Sequence, residues 1–124
     1  MSAARLYTEA HEWVDYDAAS GTAAIGITAY AAEQLGDIVY LELPQPGDTA
    51  RAGVVLGEIE STKSVGELYA PVDGRVERVN TEAADDPAIV NAAADETWLV
   101  VLSVDEAPAG LLDADSYAAL TEQA

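Results

Sequence analysis

Apolar residues in this chain come in short runs, separated by clusters of glycine, proline, aspartate and serine. Runs of this length bounded by turn residues predict strands more readily than helices. Leu6-Tyr7 and Trp13–Tyr16 read as short strands on either side of Thr8–Glu12. Asp17–Gly21 is a turn, and Thr22–Ile27 is a strand whose apolar end suits burial. Ile38–Leu43 is rich in strand formers. Pro44–Asp48 turns, Thr49-Ala50 starts a short strand, and Arg51–Gly53 turns again. Val54–Glu60 and Val65–Ala70 run towards and away from Ser61–Ser64. After a turn at Pro71–Gly74, Arg75–Asn80 alternates as a half-buried strand does. Trp98–Val104 is the last and most apolar strand.

The period changes in a few places. Thr28 is placed to cap a short helix over Ala29–Leu35, anchored by Tyr30 and Leu35 and closed by Gly36. So short a helix needs packing to hold it. Thr81–Pro87 reads as an acidic loop. Pro87–Val90 reads as one helical turn, with Asp86 as cap and proline at its first position, and Asn91–Thr97 as another loop. Asp113–Gln123 predicts a terminal helix, with Leu112, Tyr117 and Leu120 on its apolar side. Many short strands at this spacing predict a sandwich or flattened barrel. A weak internal echo relates Val39–Val55 to Leu68–Val79 as strand, turn and strand, and would put Lys63 near a pseudo-twofold axis at a hairpin tip.

At 124 residues the chain suits one domain with a real core. It has no cysteine, so disulfides, thiolate metal sites and a cysteine nucleophile are excluded. No apolar run is long enough for a membrane span, and no signal-peptide core follows Met1–Arg5, so the expected location is cytoplasmic. No large apolar patch is evident, which points to a monomer. The charge is extreme: 23 acids against 5 bases give a formal charge of −18. That argues against nucleic acid and anionic membranes, both of which need a basic footprint. The acidity either steers the chain towards basic partners or adapts the whole surface to high salt, where screening lengths fall to about 3 Å. The even spread of acids favours adaptation.

The chain is poor in catalytic chemistry. Its one histidine, His11, lies beside Glu12. A dyad is imaginable there, but a hydrogen-bonding role in the N-terminal strand region is the simpler reading. One histidine without cysteine does not make a zinc site. Asp85-Asp86 lacks the spacing of a calcium loop, and no glycine-rich stretch has phosphate-loop spacing. Trp13 and Trp98 lie in apolar segments and read as core. Lys63 stands out as the only lysine, set among Ser61, Thr62 and Ser64 at the tip of two apolar strands. An amine in water is protonated at neutral pH, so covalent chemistry there needs an activated acyl donor and an outside enzyme. Position alone leaves a tether and an ordinary surface lysine equally open.

Ordered motifs resolve that choice. Tyr7–Val14, Ile25–Ala31, Gln34–Pro44, Glu60–Val65, Leu68–Gly74, Val79-Asn80, Trp98-Leu99 and Leu111–Ala114 together resemble the H protein of the glycine cleavage system. The set runs nearly end to end. The resemblance implies a mainly β fold: a lipoyl-domain-like barrel-sandwich hybrid with short helices, including one at the C-terminus. It implies one lipoyl-carrier domain over 1–124, with a lipoyl-like core at about 22–104, and lipoate in amide linkage to Lys63. It also implies a cycle of partners. Glycine decarboxylase (P protein) loads the aminomethyl group of glycine. The aminomethyltransferase (T protein) removes it, and dihydrolipoamide dehydrogenase (L protein) reoxidises the dithiol. A lipoate-attaching enzyme acts beforehand, and the chain itself has no catalytic residue. In this family the loaded arm folds back on the body, and the matching positions for its dock are Glu12, Gln34, Leu35 and Glu67.

The chain departs from the family pattern at Ser64-Val65-Gly66, where alanines are common and Gly66 loosens the return strand, and at Ala92–Thr97. A lipoyl relay, a biotinyl module and an unmodified acidic interaction module are the alternatives. Thr62 and Ser64, in place of methionines beside the lysine, count against biotin.

Overall fold

A computed structural model describes residues 5–122. Nine strands and four short helices appear in the order β1 (Leu6–Tyr7), β2 (Glu12–Asp17), β3 (Thr22–Ile27), α1 (Ala29–Leu35), β4 (Ile38–Glu42), β5 (Thr49–Ala50), β6 (Val55–Ser61), β7 (Val65–Tyr69), β8 (Gly74–Val79), α2 (Thr81–Asp85), α3 (Ala88–Ala93), β9 (Val100–Ser103) and α4 (Ala114–Glu122). The strands form two separate antiparallel sheets, one of six strands ordered β1-β2-β3-β9-β8-β5 and one of three ordered β4-β6-β7. The expected hybrid therefore takes the open sandwich form rather than a closed barrel.

One core lies between the sheets. Val14, Ile25, Val76 and Leu102 from the larger sheet meet Leu41, Ile59 and Leu68 from the smaller. The alternation along each strand dictates this, because side chains at every second position face the same way. The internal echo has a physical counterpart. Both β4–β5 and β7–β8 carry the chain from the small sheet to the large one, and β5 and β8 then pair antiparallel.

The helices correct the sequence reading. Thr81–Asp85 is helical, not a loop: Asn80 caps it by accepting from Ala83 N at 3.2 Å, and its amide donates to Trp98 O at 2.6 Å. The next helix runs longer than one turn and starts after Pro87. Asp86 supplies only its backbone carbonyl, to Ile89 N, and no side-chain cap. Asn91 lies inside that helix, and a 3-10 turn at Ala94–Glu96 follows. Trp98 and Leu99 precede the last strand. Trp98 is half-buried under the Arg78 guanidinium, whereas Trp13 is core and donates from Nε1 to Ala94 O at 3.1 Å.

The terminal helix starts at Ala114, after Asp113, whose carboxylate accepts from Ser116 N at 2.8 Å. Tyr117 is its anchor, stacked on Tyr7 with ring centroids 4.6 Å apart. The Tyr117 hydroxyl lies 2.7 Å from Thr28 Oγ1 and 2.9 Å from His11 Nδ1. The predicted end of this helix at Gln123 lies outside the described residues. No helix among the described residues is long and apolar enough to cross a membrane.

Candidate functional site: a lysine hairpin seated on a short helix

The hairpin of β6 and β7 carries Lys63 at its tip because Ser61 closes the turn twice. Ser61 N donates to Ser64 O at 2.8 Å, and its hydroxyl also donates to that oxygen, at 3.0 Å. The same hydroxyl accepts from Lys63 N and Ser64 N at 3.3 and 3.1 Å. Serine favours such tight local bonding. A further bond ties the tip to the body, from Thr62 N to Asp37 O at 3.0 Å. Thr62, Lys63 and Ser64 are all exposed.

The stem of Lys63 lies over Gly36. φ at Gly36 is +81°, which calls for glycine, and a Cβ there would come within 3.3 Å of Lys63 Cε and crowd the stem. The predicted helix closure by Gly36 is thus also the seat of the lysine. One residue earlier, Leu35 packs onto the hairpin at Gly66, where a Cβ would meet Leu35 Cδ2 at 3.0 Å. Gly66 is the space into which the helix anchor fits, which explains the glycine in the return strand. Gly66→Ala is expected to cost about 1 kcal/mol, since a flexible leucine tip must give way. Urea unfolding would show the loss, and chemical shifts would place the disturbance at Leu35.

Asn91, read from the sequence as part of a loop, holds this seat from behind. Its Oδ1 accepts from Ile38 N at 2.9 Å and its Nδ2 donates to Gly36 O at 2.8 Å. It therefore brackets Asp37, whose carbonyl receives Thr62. Only tertiary structure joins these residues, so no local pattern could have flagged Asn91. Asn91→Ala leaves the N–H of buried Ile38 unpaired and is expected to destabilise by about 2 kcal/mol. Faster hydrogen exchange at Ile38 and Thr62 would accompany it.

The other expected dock residues are spread around the hairpin. Gln34 is exposed on α1, just before the half-buried Leu35. Glu67 faces away from Leu35, on the outer side of β7, and accepts from Tyr69 Oη at 3.0 Å. Glu12 is 1% exposed and reaches across from the large sheet. Its Oε2 accepts from Tyr69 N at 2.6 Å, and its Oε1 accepts from Thr8 Oγ1 at 3.0 Å. Burial pushes this carboxyl up to about 7, against the opposing pull of the two hydrogen bonds.

His11 is neighbour to Glu12 in sequence only. Its ring goes to Tyr117, its backbone is left-handed with φ +69°, and its carbonyl accepts from Thr28 N. Desolvation lowers its pKa. The hydrogen-bonding role fits this arrangement, and the two side chains form no dyad. No group of three or more potential ligands gathers among the described residues to hold a metal. A surface depression lies between the β5–β8 edge and Asp105–Ala109 and shares no residue with the lysine turn. The lysine protrudes, which suits chemistry carried out inside other proteins' pockets.

Comparison with known proteins agrees with this geometry. Residues 5–124 match the family model described as Glycine cleavage H-protein. A glycine cleavage system H protein from Thermobifida fusca is 51% identical over 117 residues, spanning 94% of this chain and 91% of the relative. One from Streptomyces avermitilis is 49% identical over 112 residues, spanning 90% and 89%. The crystal structure of a glycine cleavage system H protein from Mycobacterium marinum superposes with a TM-score of 0.88 at 41% identity, covering 95% of this chain and 96% of that one. With the open sandwich, the protruding lysine and the near-complete coverage, the chain belongs to the glycine cleavage H-protein family, the non-catalytic carriers that bear lipoate on a lysine.

Proposed function

We propose that Lys63 is the lipoyl-lysine of this carrier. It is the only lysine in the chain, and the observation that carries the reading is its place on a hydrogen-bonded, exposed hairpin tip with its stem laid on Gly36. The residues present suit the group: a side chain at position 36 would crowd the stem, and glycine leaves that track open. Lipoate bound there supplies a disulfide and dithiol able to accept the aminomethyl group and pass it on. The chain's own part is presentation. Ser61 and Asp37 fix the tip, Asn91 fixes Asp37, and Gln34 and Leu35 border the surface onto which the arm folds, with Glu67 on the outer face of the same hairpin. Glu12 supports that surface through Tyr69. Tethering converts each transfer into a local event at high effective concentration.

On this reading 1–124 is a single lipoyl-carrier domain, monomeric and cytoplasmic. It is loaded by a lipoate-attaching enzyme and then serves glycine decarboxylase, the aminomethyltransferase and dihydrolipoamide dehydrogenase in turn. The shared core of both sheets supports the single domain.

The test is the intact mass of protein made in a lipoate-competent host. One lipoyl increment, mapped to the peptide holding Lys63, is expected; an unmodified mass would overturn the assignment. Glycine–bicarbonate exchange with the decarboxylase then separates a glycine-cleavage carrier from a lipoyl relay, which would show none.

A further inference from the structure

All five large apolar side chains that stand exposed among the described residues belong to one part of the molecule. Val39 and Tyr40 are on β4, Val65 is on β7, and Val54 and Val55 are at the start of β6. Every one lies on, or directly before, a strand of the small sheet. Three of them gather at the lysine end: Val39, Tyr40 and Val65 are 55%, 50% and 59% exposed.

The backbone is arranged to expose them. A register shift between Ile38 and Tyr40 makes a bulge at Val39, so two consecutive residues of one strand both point to solvent. Ordinary alternation would have buried one of them. Beyond the bulge, Tyr40 pairs with Glu60, and Glu60 pairs with Val65, which makes one row across three strands. The next row is Glu42, Glu58 and Glu67. Like charges directly opposite one another on a sheet are destabilising. Apart from Lys63 just beyond its tip, the hairpin and β4 contain no basic residue. Of the four arginines, Arg5, Arg75 and Arg78 serve the large sheet, and Arg51 lies in the turn after β5, at the far end of the small sheet from Lys63.

From this face we infer that the outer surface of the small sheet is the docking site for the carrier's enzyme partners. The partner surface is one with an apolar recess, for Tyr40 and Val65, bordered by arginine or lysine side chains that meet the glutamate row. This rests on the carrier reading and specifies the surface through which it works. A second copy of the chain is the wrong occupant, because face-to-face pairing would set glutamate rows against each other. Aromatic anchors inside a polar rim are the usual centre of such contacts, and opposite charge gives them speed and register.

The test uses fully lipoylated Tyr40→Ser/Val65→Ser and Glu58→Lys proteins, with modification confirmed by mass. Glu77→Lys, an exposed position on β8 of the other sheet, is the matched charge control. The carrier's KM and kcat are measured with the decarboxylase, the aminomethyltransferase and the dehydrogenase. With at least one partner, KM is expected to rise about tenfold for the apolar double variant and for Glu58→Lys, with kcat nearly unchanged. Glu77→Lys is expected to behave as the parent. Unchanged KM with all three enzymes overturns the inference, as does an equal effect of Glu77→Lys. So does a parent dimer that the double variant dissolves in sedimentation. A lipoylated parent that turns over with none of the enzymes would sink the carrier reading itself, a result distinct from the others.

Discussion

Lys63→Arg is expected to abolish carrier activity completely while leaving the fold intact. The guanidinium keeps the charge and can lie along Gly36 as the lysine stem does, and the turn bonds from Ser61 involve backbone atoms and the serine side chain, none from the side chain of residue 63. Urea midpoints should therefore coincide with those of the parent. What is lost is the primary amine that forms the amide. Lysine is the acylation site and arginine is not an equivalent. No other lysine in the chain can substitute. The variant should show no lipoyl mass increment and no exchange with the decarboxylase. Residual modification of Lys63→Arg would move the attachment elsewhere and defeat the assignment.

Glu12→Gln has the largest expected effect on stability, and its size depends on pH. Burial raises the folded-state pKa of this carboxyl to about 7, against 4.5 for an unperturbed glutamate. Below 4.5 both folded and unfolded chains hold the proton, and Glu12 exacts no penalty. As pH rises to 7 the unfolded chain ionises first, so folding is progressively disfavoured; above 7 the loss is complete. At 1.36 kcal/mol for each pKa unit the total is about 3 kcal/mol. Glutamine keeps the acceptor for Tyr69 N and gives up the acceptor for Thr8 Oγ1, as the protonated carboxyl does, but carries no charge to desolvate. Glu12→Gln should thus match the parent near pH 4.5 and exceed it by up to about 3 kcal/mol at pH 8. Taking the difference between the two proteins removes the shared titration of the other carboxylates. Urea unfolding from pH 4.5 to 8 would measure it, and a difference that stays flat with pH would rule the account out.

Much of this fold could be read in the chain because its strands announce themselves locally. Ile38–Glu42 is rich in β-formers, Pro44–Asp48 must turn, and Arg75–Asn80 alternates, so each segment carries its own evidence. The helices at Thr81–Asp85 and Ala88–Ala93 were harder. They are short and rich in alanine, and each buries a single residue, Ala83 in one and Val90 in the other, so no apolar stripe forms. The cap from Asn80 was the available signal. At the site, the lysine tip was legible because glycine, serine and apolar flanks converge on it. The seat beneath it was not, since Leu35 meets Gly66 and Asn91 meets Gly36 only across the tertiary fold. Nor could the glutamate row be seen in advance, because it depends on the register between strands.

That row gives the attachment of lipoate an electrical meaning. Converting the Lys63 amine to an amide removes the one cation at the end of the small sheet and makes the molecule one unit more negative. On the carrier reading, the loaded protein presents a uniformly anionic end where the unloaded one presents a mixed pair of signs. A partner lined with arginine or lysine would sense this difference before contact, at a range set by the ionic strength. Such a partner could distinguish loaded from empty carriers by their field alone, before the arm entered its pocket.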